Sequence, residues 1–132
     1  MNVLIDSSAW IAFLREGRVR HPDVAAALEA GTAMLCPVVW LELWAGVRGK
    51  REEAVLMNIR ETCGWLEINA SVWEQATAMG RVAQQRGLTC PLADLLIVAC
   101  AKRHGAELLH RDKHIDQLLA LAVAPPNKGR TK

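Results

Sequence analysis

The chain has no tyrosine, a single phenylalanine and four cysteines, no two of which stand as a C-x-x-C pair. Nor is there a mixed Cys–His set with zinc spacing, so the thiols read as reduced core residues. The two common glycine-rich phosphate cradles, G-x-x-x-x-G-K-[S/T] and G-x-G-x-x-G, are both missing. No uncharged run is long enough to span a bilayer, and the two longest, ending at Leu41 and Asn127, each contain proline. Met1-Asn2 supplies no basic leader, and Asp6 cuts the short apolar run that follows, so no secretory signal is read. These absences predict a cytoplasmic protein that makes no membrane contact.

Net charge is scarce as well. Sixteen Lys and Arg against 14 Asp and Glu leave +2, and Lys128, Arg130 and Lys132 at the end account for more than that. The remainder sums to −1. At 132 residues, 52% hydrophobic and 23% charged, the chain has the length and composition of one globular domain. That domain is expected over residues 1–124, with 125–132 as a flexible basic tail.

Short apolar runs alternate with helical segments. Val3-Leu4-Ile5 reads as a strand, followed by a helix over 9–16 that stops at Gly17. Pro22 opens a second helix that ends before Gly31. Met34-Leu35-Cys36 is a second strand, followed by helices over 38–47 and 52–63. A third strand is expected over 65–68, then a helix from the capping box Ser71-x-x-Glu74 to Arg86. Residues 94–104 form an apolar helix closed by Gly105, 106–109 a fourth strand and 114–121 a last helix. Strands joined through helices predict an α/β fold. Its form is a three-layer α/β/α sandwich around a parallel sheet of four to five short strands.

The chemistry lies in isolated acids. Asp6 is the only charged residue from Met1 to Leu14, Glu42 the only one from Gly31 to Val47, and Asp94 the only one from Leu88 to Ala101. One such carboxylate is explained by a helix cap or a solvent-facing position. Three invite a shared explanation, because a buried carboxylate needs a cation, donors or a wet cleft. In open α/β sheets, ligands bind at the carboxyl ends of the strands. Asp6 ends the first strand, Asp112 follows the fourth, Glu42 lies soon after the second, and Asp94 opens a helix. All four can therefore meet on one rim. A hard divalent cation such as Mg²⁺ or Mn²⁺ would relieve their repulsion and, with water, supports hydrolysis of a phosphodiester.

The segments Val3-Leu-Ile-Asp6-Ser7-Ser8-Ala-Trp-Ile, Glu42-x-x-x-Gly46, Pro91-Leu-Ala-Asp94-Leu-Leu-Ile-Val-Ala and His110-Arg-Asp112-Lys-His resemble those of PIN domains. In particular they are similar to the VapC-type toxins of bacterial toxin–antitoxin pairs, and the resemblance runs from Val3 to about Val123. It implies a Mg²⁺-dependent endoribonuclease, with Mn²⁺ as a substitute. It also implies inhibition by a VapB-like antitoxin, a homodimer, and a heterotetramer or larger assembly with that antitoxin. Asp6, Glu42, Asp94 and Asp112 would form the catalytic site. Asp6 and Asp94 would ligate the metal, and Glu42 and Asp112 would do so directly or through water. Ser7, Ser8 and Asp116 are candidates for the outer shell. Two positions depart from the pattern: His110 stands where many members carry Thr or Ser, and Ile115 where an aromatic is common.

Arg111 and Lys113 flank Asp112 and are candidate RNA contacts through phosphate. Trp10, Trp40 and Trp44 are candidates for a partner groove, whereas Trp65 and Trp73 are expected in the core. Two other readings compete with the nuclease. A phosphatase of the haloacid-dehalogenase type would want D-x-D where the chain has Asp6-Ser7-Ser8, and a non-catalytic PIN-like interaction module would not need four acids.

Overall fold

The computed structural model describes residues 1–121, so the tail expected over 125–132 lies outside the described residues. The elements follow in the order β1 (Val3–Ile5), α1 (Ser7–Glu16), α2 (Pro22–Ala30), β2 (Ala33–Leu35), α3 (Pro37–Ala45) and α4 (Lys50–Thr62). They continue as β3 (Gly64–Trp65), α5 (Ala70–Gln85), α6 (Leu92–His104), β4 (Glu107–Leu109) and α7 (Lys113–Leu119). The sheet has the order β3-β2-β1-β4, with every pairing parallel. The α/β expectation holds, with four strands.

This order carries the chain in two directions from β1. The path steps outward to β2 and β3, then returns to place β4 on the opposite side of β1. The gap between β1 and β4 is therefore the switch point at which α/β sheets open a crevice. The Asp6 N–H donates to the Leu109 carbonyl at 2.9 Å, so the ends of the two strands stay joined at that crevice. Beneath it, Leu4, Ile5, Leu35, Ile97, Val98 and Ile115 are fully buried, consistent with short strands covered on both faces.

The helix ends follow local chemistry. Pro22 and Pro37 occupy first-turn positions of α2 and α3, where a missing N–H costs nothing. Gly31 and Gly105 end α2 and α6 at φ 75° and 67°, a left-handed conformation that favours glycine. The capping box predicted at Ser71 is corrected. Asn69 caps α5, its Oδ1 accepting the Val72 N–H at 3.1 Å and the Ser71 hydroxyl at 2.8 Å. β3 is shorter than expected because the chain leaves the sheet after the Leu66 N–H bonds to the Leu35 carbonyl. All four cysteines are free, three of them buried and Cys90 partly so.

Candidate active site

Asp6 is at the carboxyl end of β1 and is 3% exposed. Its Oδ2 accepts the N–H and the hydroxyl of Ser8, which makes Asp6 the cap of α1. Its Oδ1 is buried with no hydrogen-bond partner. An unsatisfied buried carboxylate oxygen is costly, and a cation is the simplest group that removes the cost. Asp94 stands in the first turn of α6 and is also buried. Asp112 caps α7 by accepting the His114 N–H at 2.8 Å.

The ligand atoms of Asp94, Asp112 and His114 lie within 4.8 Å of one another, the only such metal-competent group among the described residues. Burial pushes the Asp94 carboxyl up to about 6, helped by the negative charges of Asp112, Asp6 and Glu42 and opposed by His114. Glu42, half-buried on α3, is also raised, first by burial and then by Asp6 and Asp112. The charges of Asp6, Glu42 and Asp112 thus reach Asp94, and those of Asp6 and Asp112 reach Glu42, although Asp6 and Glu42 lie outside the close group of Asp94, Asp112 and His114. Ser7 donates its hydroxyl to Glu42 Oε1 at 2.8 Å, linking α1 to α3.

His110 has a defined role beside Asp112. Its Nδ1 accepts the Asp112 N–H at 3.2 Å, and its Nε2 faces Asp116 Oδ1 at 3.1 Å. The first contact requires a lone pair on Nδ1, so the proton is assigned to Nε2, from where it donates to Asp116. Asp116 itself is exposed and meets the site through His110.

Several expectations change. Trp10 is fully buried in the core, so it lines no groove, and its edge stacks against Phe13. Trp73 is 55% exposed rather than core, whereas Trp65 packs against the core as expected, partly exposed and with the Arg60 guanidinium 4.2 Å above its ring. Trp40 and Trp44 stack edge to face and line an open apolar surface with Pro37, Leu41 and Trp65. Each is two positions from Glu42, about 200° around the helix, so this surface faces away from the acids. Arg111 is engaged with α2, through Asp23, instead of standing free. Lys113 is exposed.

Two features escaped the sequence. His114 joins the acid cluster, and its only signal was a His two residues after Asp112. A cleft of about 670 Å³ extends from Glu42 between α1, α3 and α4; Ile11, Leu14 and Val55 lie in it beside Arg15, Arg48 and Arg51. No helix among the described residues is long and apolar enough to cross a membrane.

A parallel sheet with a group of carboxylates on the rim at its switch point defines the class, an α/β protein with an acidic patch at the strand ends. The chain belongs to the PIN-domain family, whose model matches residues 3–120. It is similar to ribonuclease VapC11 of Mycobacterium tuberculosis, with 29% identity over 119 residues covering 86% of this chain and 89% of that protein. Among solved structures it resembles VapBC2 of Rickettsia felis bound to a promoter DNA fragment. There the TM-score is 0.75 at 16% identity, covering 89% of this chain and 92% of the other. VapC20 of M. tuberculosis, a sarcin–ricin loop-cleaving toxin, has TM-score 0.68 at 18% identity, covering 95% of this chain and all of that one. These two structural likenesses speak to the fold.

Proposed function

We propose that the chain is a divalent-cation-dependent endoribonuclease toxin, acting in the cytoplasm and inhibited by a cognate VapB-like antitoxin. The observation that carries the reading is the close group of Asp94, Asp112 and His114, with Asp6 and Glu42 near enough to raise the Asp94 carboxyl and with Asp6 Oδ1 buried and unpaired. The set is oxygen-rich with one imidazole, which suits Mg²⁺ or Mn²⁺. Asp6 and Asp94 would hold the ion, with Glu42 and Asp112 directly or through water. A bound divalent cation supplies Lewis acidity toward the phosphodiester and activates water for attack. Ser7 fixes one oxygen of Glu42, which leaves that carboxyl placed to orient the attacking water. Ser8 and His110 keep Asp6 and Asp112 in position. Relatives named as VapC ribonucleases support RNA as the substrate class.

The cleft beside Glu42 is the proposed seat of the antitoxin, because its apolar floor and basic edge suit an amphipathic segment. The apolar Trp40–Trp44 surface is a candidate for contact between two copies in a homodimer. The test is incubation of the purified protein with total RNA, in Mg²⁺ and in chelator. Discrete cuts that need the cation and vanish on adding the antitoxin are expected. Cleavage that survives chelation contradicts the reading.

A further inference from the structure

Asp112 sits on the loop after β4, and β4 lies at the sheet edge, hydrogen-bonded to β1 alone. A loop leaving an edge strand is weakly constrained unless something else holds it. Three elements do so here. The Arg111 N–H donates to Ser8 Oγ of α1 at 2.9 Å. The Asp112 N–H donates to His110 Nδ1, whose other nitrogen reaches Asp116 of α7. The third hold comes from α2. Arg111 Nη2 donates to both oxygens of Asp23 at 2.9 and 3.1 Å and to His21 Nδ1 at 3.1 Å, while Nη1 donates to the His110 carbonyl at 3.1 Å.

We infer that the Arg111–Asp23 pair, backed by His21, is a clamp that positions Asp112 in the acid site, and that Arg111 does not hold RNA. This rests on the nuclease reading of the four acids and extends it to a residue whose charge and position suggest a phosphate contact.

An isolated exposed ion pair would carry little. This one is part of a network with a buried member. His21 is 8% exposed, and a guanidinium has only donors, so Nδ1 must accept from Arg111. The imidazole proton is thereby assigned to Nε2, which bonds Glu16 of α1. Asp23 is tied in turn to the first turn of α2, where its Oδ1 accepts the Val24 N–H at 2.8 Å. Arg111 thus links the loop to two helices at once. Its backbone continues the chain of contacts through Ser8 to Asp6, so the first and fourth acids share one scaffold. A guanidinium spent on three protein partners is a poor free cation for a phosphate.

The test uses the full chain with Arg111→Ala, Asp23→Ala and the double variant. Three quantities are measured: Mn²⁺ affinity by calorimetry, RNA cleavage kinetics, and amide hydrogen exchange at Arg111 and Asp112 in metal-free protein. The clamp predicts that each single variant binds Mn²⁺ about tenfold more weakly, as for loss of an outer-shell partner. It predicts lower kcat with KM changed by less than about twofold. Exchange at both amides should accelerate in each variant while α5 amides stay unchanged. The double variant should lose no more than the worse single, because both act through one contact. An Arg111→Ala variant that raises KM, beside an Asp23→Ala variant silent in affinity and exchange, overturns the clamp and returns Arg111 to RNA. If the wild type takes up no Mn²⁺ and cuts no RNA, the nuclease reading fails. The exchange data still decide the clamp by themselves, since unchanged protection at both amides overturns it.

Discussion

Ser7 and Glu42 are joined by a hydrogen bond of 2.8 Å across 35 positions of sequence. Burial and the charges of Asp6 and Asp112 raise the Glu42 carboxyl, and the Ser7 hydroxyl is what opposes them. Ser7→Ala should therefore raise Glu42 further and weaken the site by about 1 kcal/mol, or roughly fivefold in Mn²⁺ affinity. A calorimetric titration across pH checks the sign: the midpoint of metal uptake should move to higher pH. A midpoint that stays or falls contradicts the role given to Ser7.

Asp94 makes the metal-free protein less stable at neutral pH. Its folded carboxyl titrates near 6 against 3.8 when unperturbed, so the native state holds the proton more tightly than the unfolded chain. Stability from this group is present below the unfolded value and is lost as pH rises through about 6. Asp94→Asn should stabilise the metal-free protein by about 1–2 kcal/mol at pH 7.5, allowing for partial solvent screening at the sheet rim. The gain should vanish near pH 3.5. Denaturant melts at both pH values, in chelator, measure it.

Leu14 is 44% exposed in the cleft beside Glu42 and touches none of the acids by hydrogen bond or charge. Leu14→Ala should weaken antitoxin binding by about 2 kcal/mol, as for loss of an apolar anchor, and leave Mn²⁺ affinity unchanged. Titration of the variant with the antitoxin measures the first quantity and metal calorimetry the second.

Trp10 belongs to stability. Fully buried against the core, it should cost about 3–5 kcal/mol when changed to Ala, seen as a lower denaturation midpoint. Trp40→Ala and Trp44→Ala, on an open surface, should cost far less in the isolated monomer and should weaken self-association in sedimentation.

The alternation of strands and helices was legible because each apolar run is short and bounded by Pro, Gly or an acid. Asp6, Glu42 and Asp94 stood out for a related reason, since a lone charge in an apolar stretch has to be accounted for, whereas Asp112, between Arg111 and Lys113, was marked only by its place after the fourth strand. Local patterns stop there. Asn69 displaced Ser71 as a cap because both are capping residues two positions apart, and only backbone geometry chooses between them. Trp10 and Trp73 were misplaced because their roles depend on how each helix is rotated against the sheet. Trp40 and Trp44 share a helix with Glu42 yet face away from it. The Arg111–Asp23 contact spans 88 positions, and no local spacing announces it. His114 entered the acid cluster because Asp112 caps α7, which draws the first turn of that helix toward Asp94.

The central claim is that four carboxylates hold a cation that enables RNA hydrolysis. Its most direct test is RNA cleavage in Mg²⁺ by the wild type and by Asp94→Asn, each shown to be folded by circular dichroism. The account predicts that Asp94→Asn keeps its fold and loses at least about a hundredfold in rate, consistent with the loss of a metal ligand. A folded Asp94→Asn protein that cleaves RNA at the wild-type rate would contradict it.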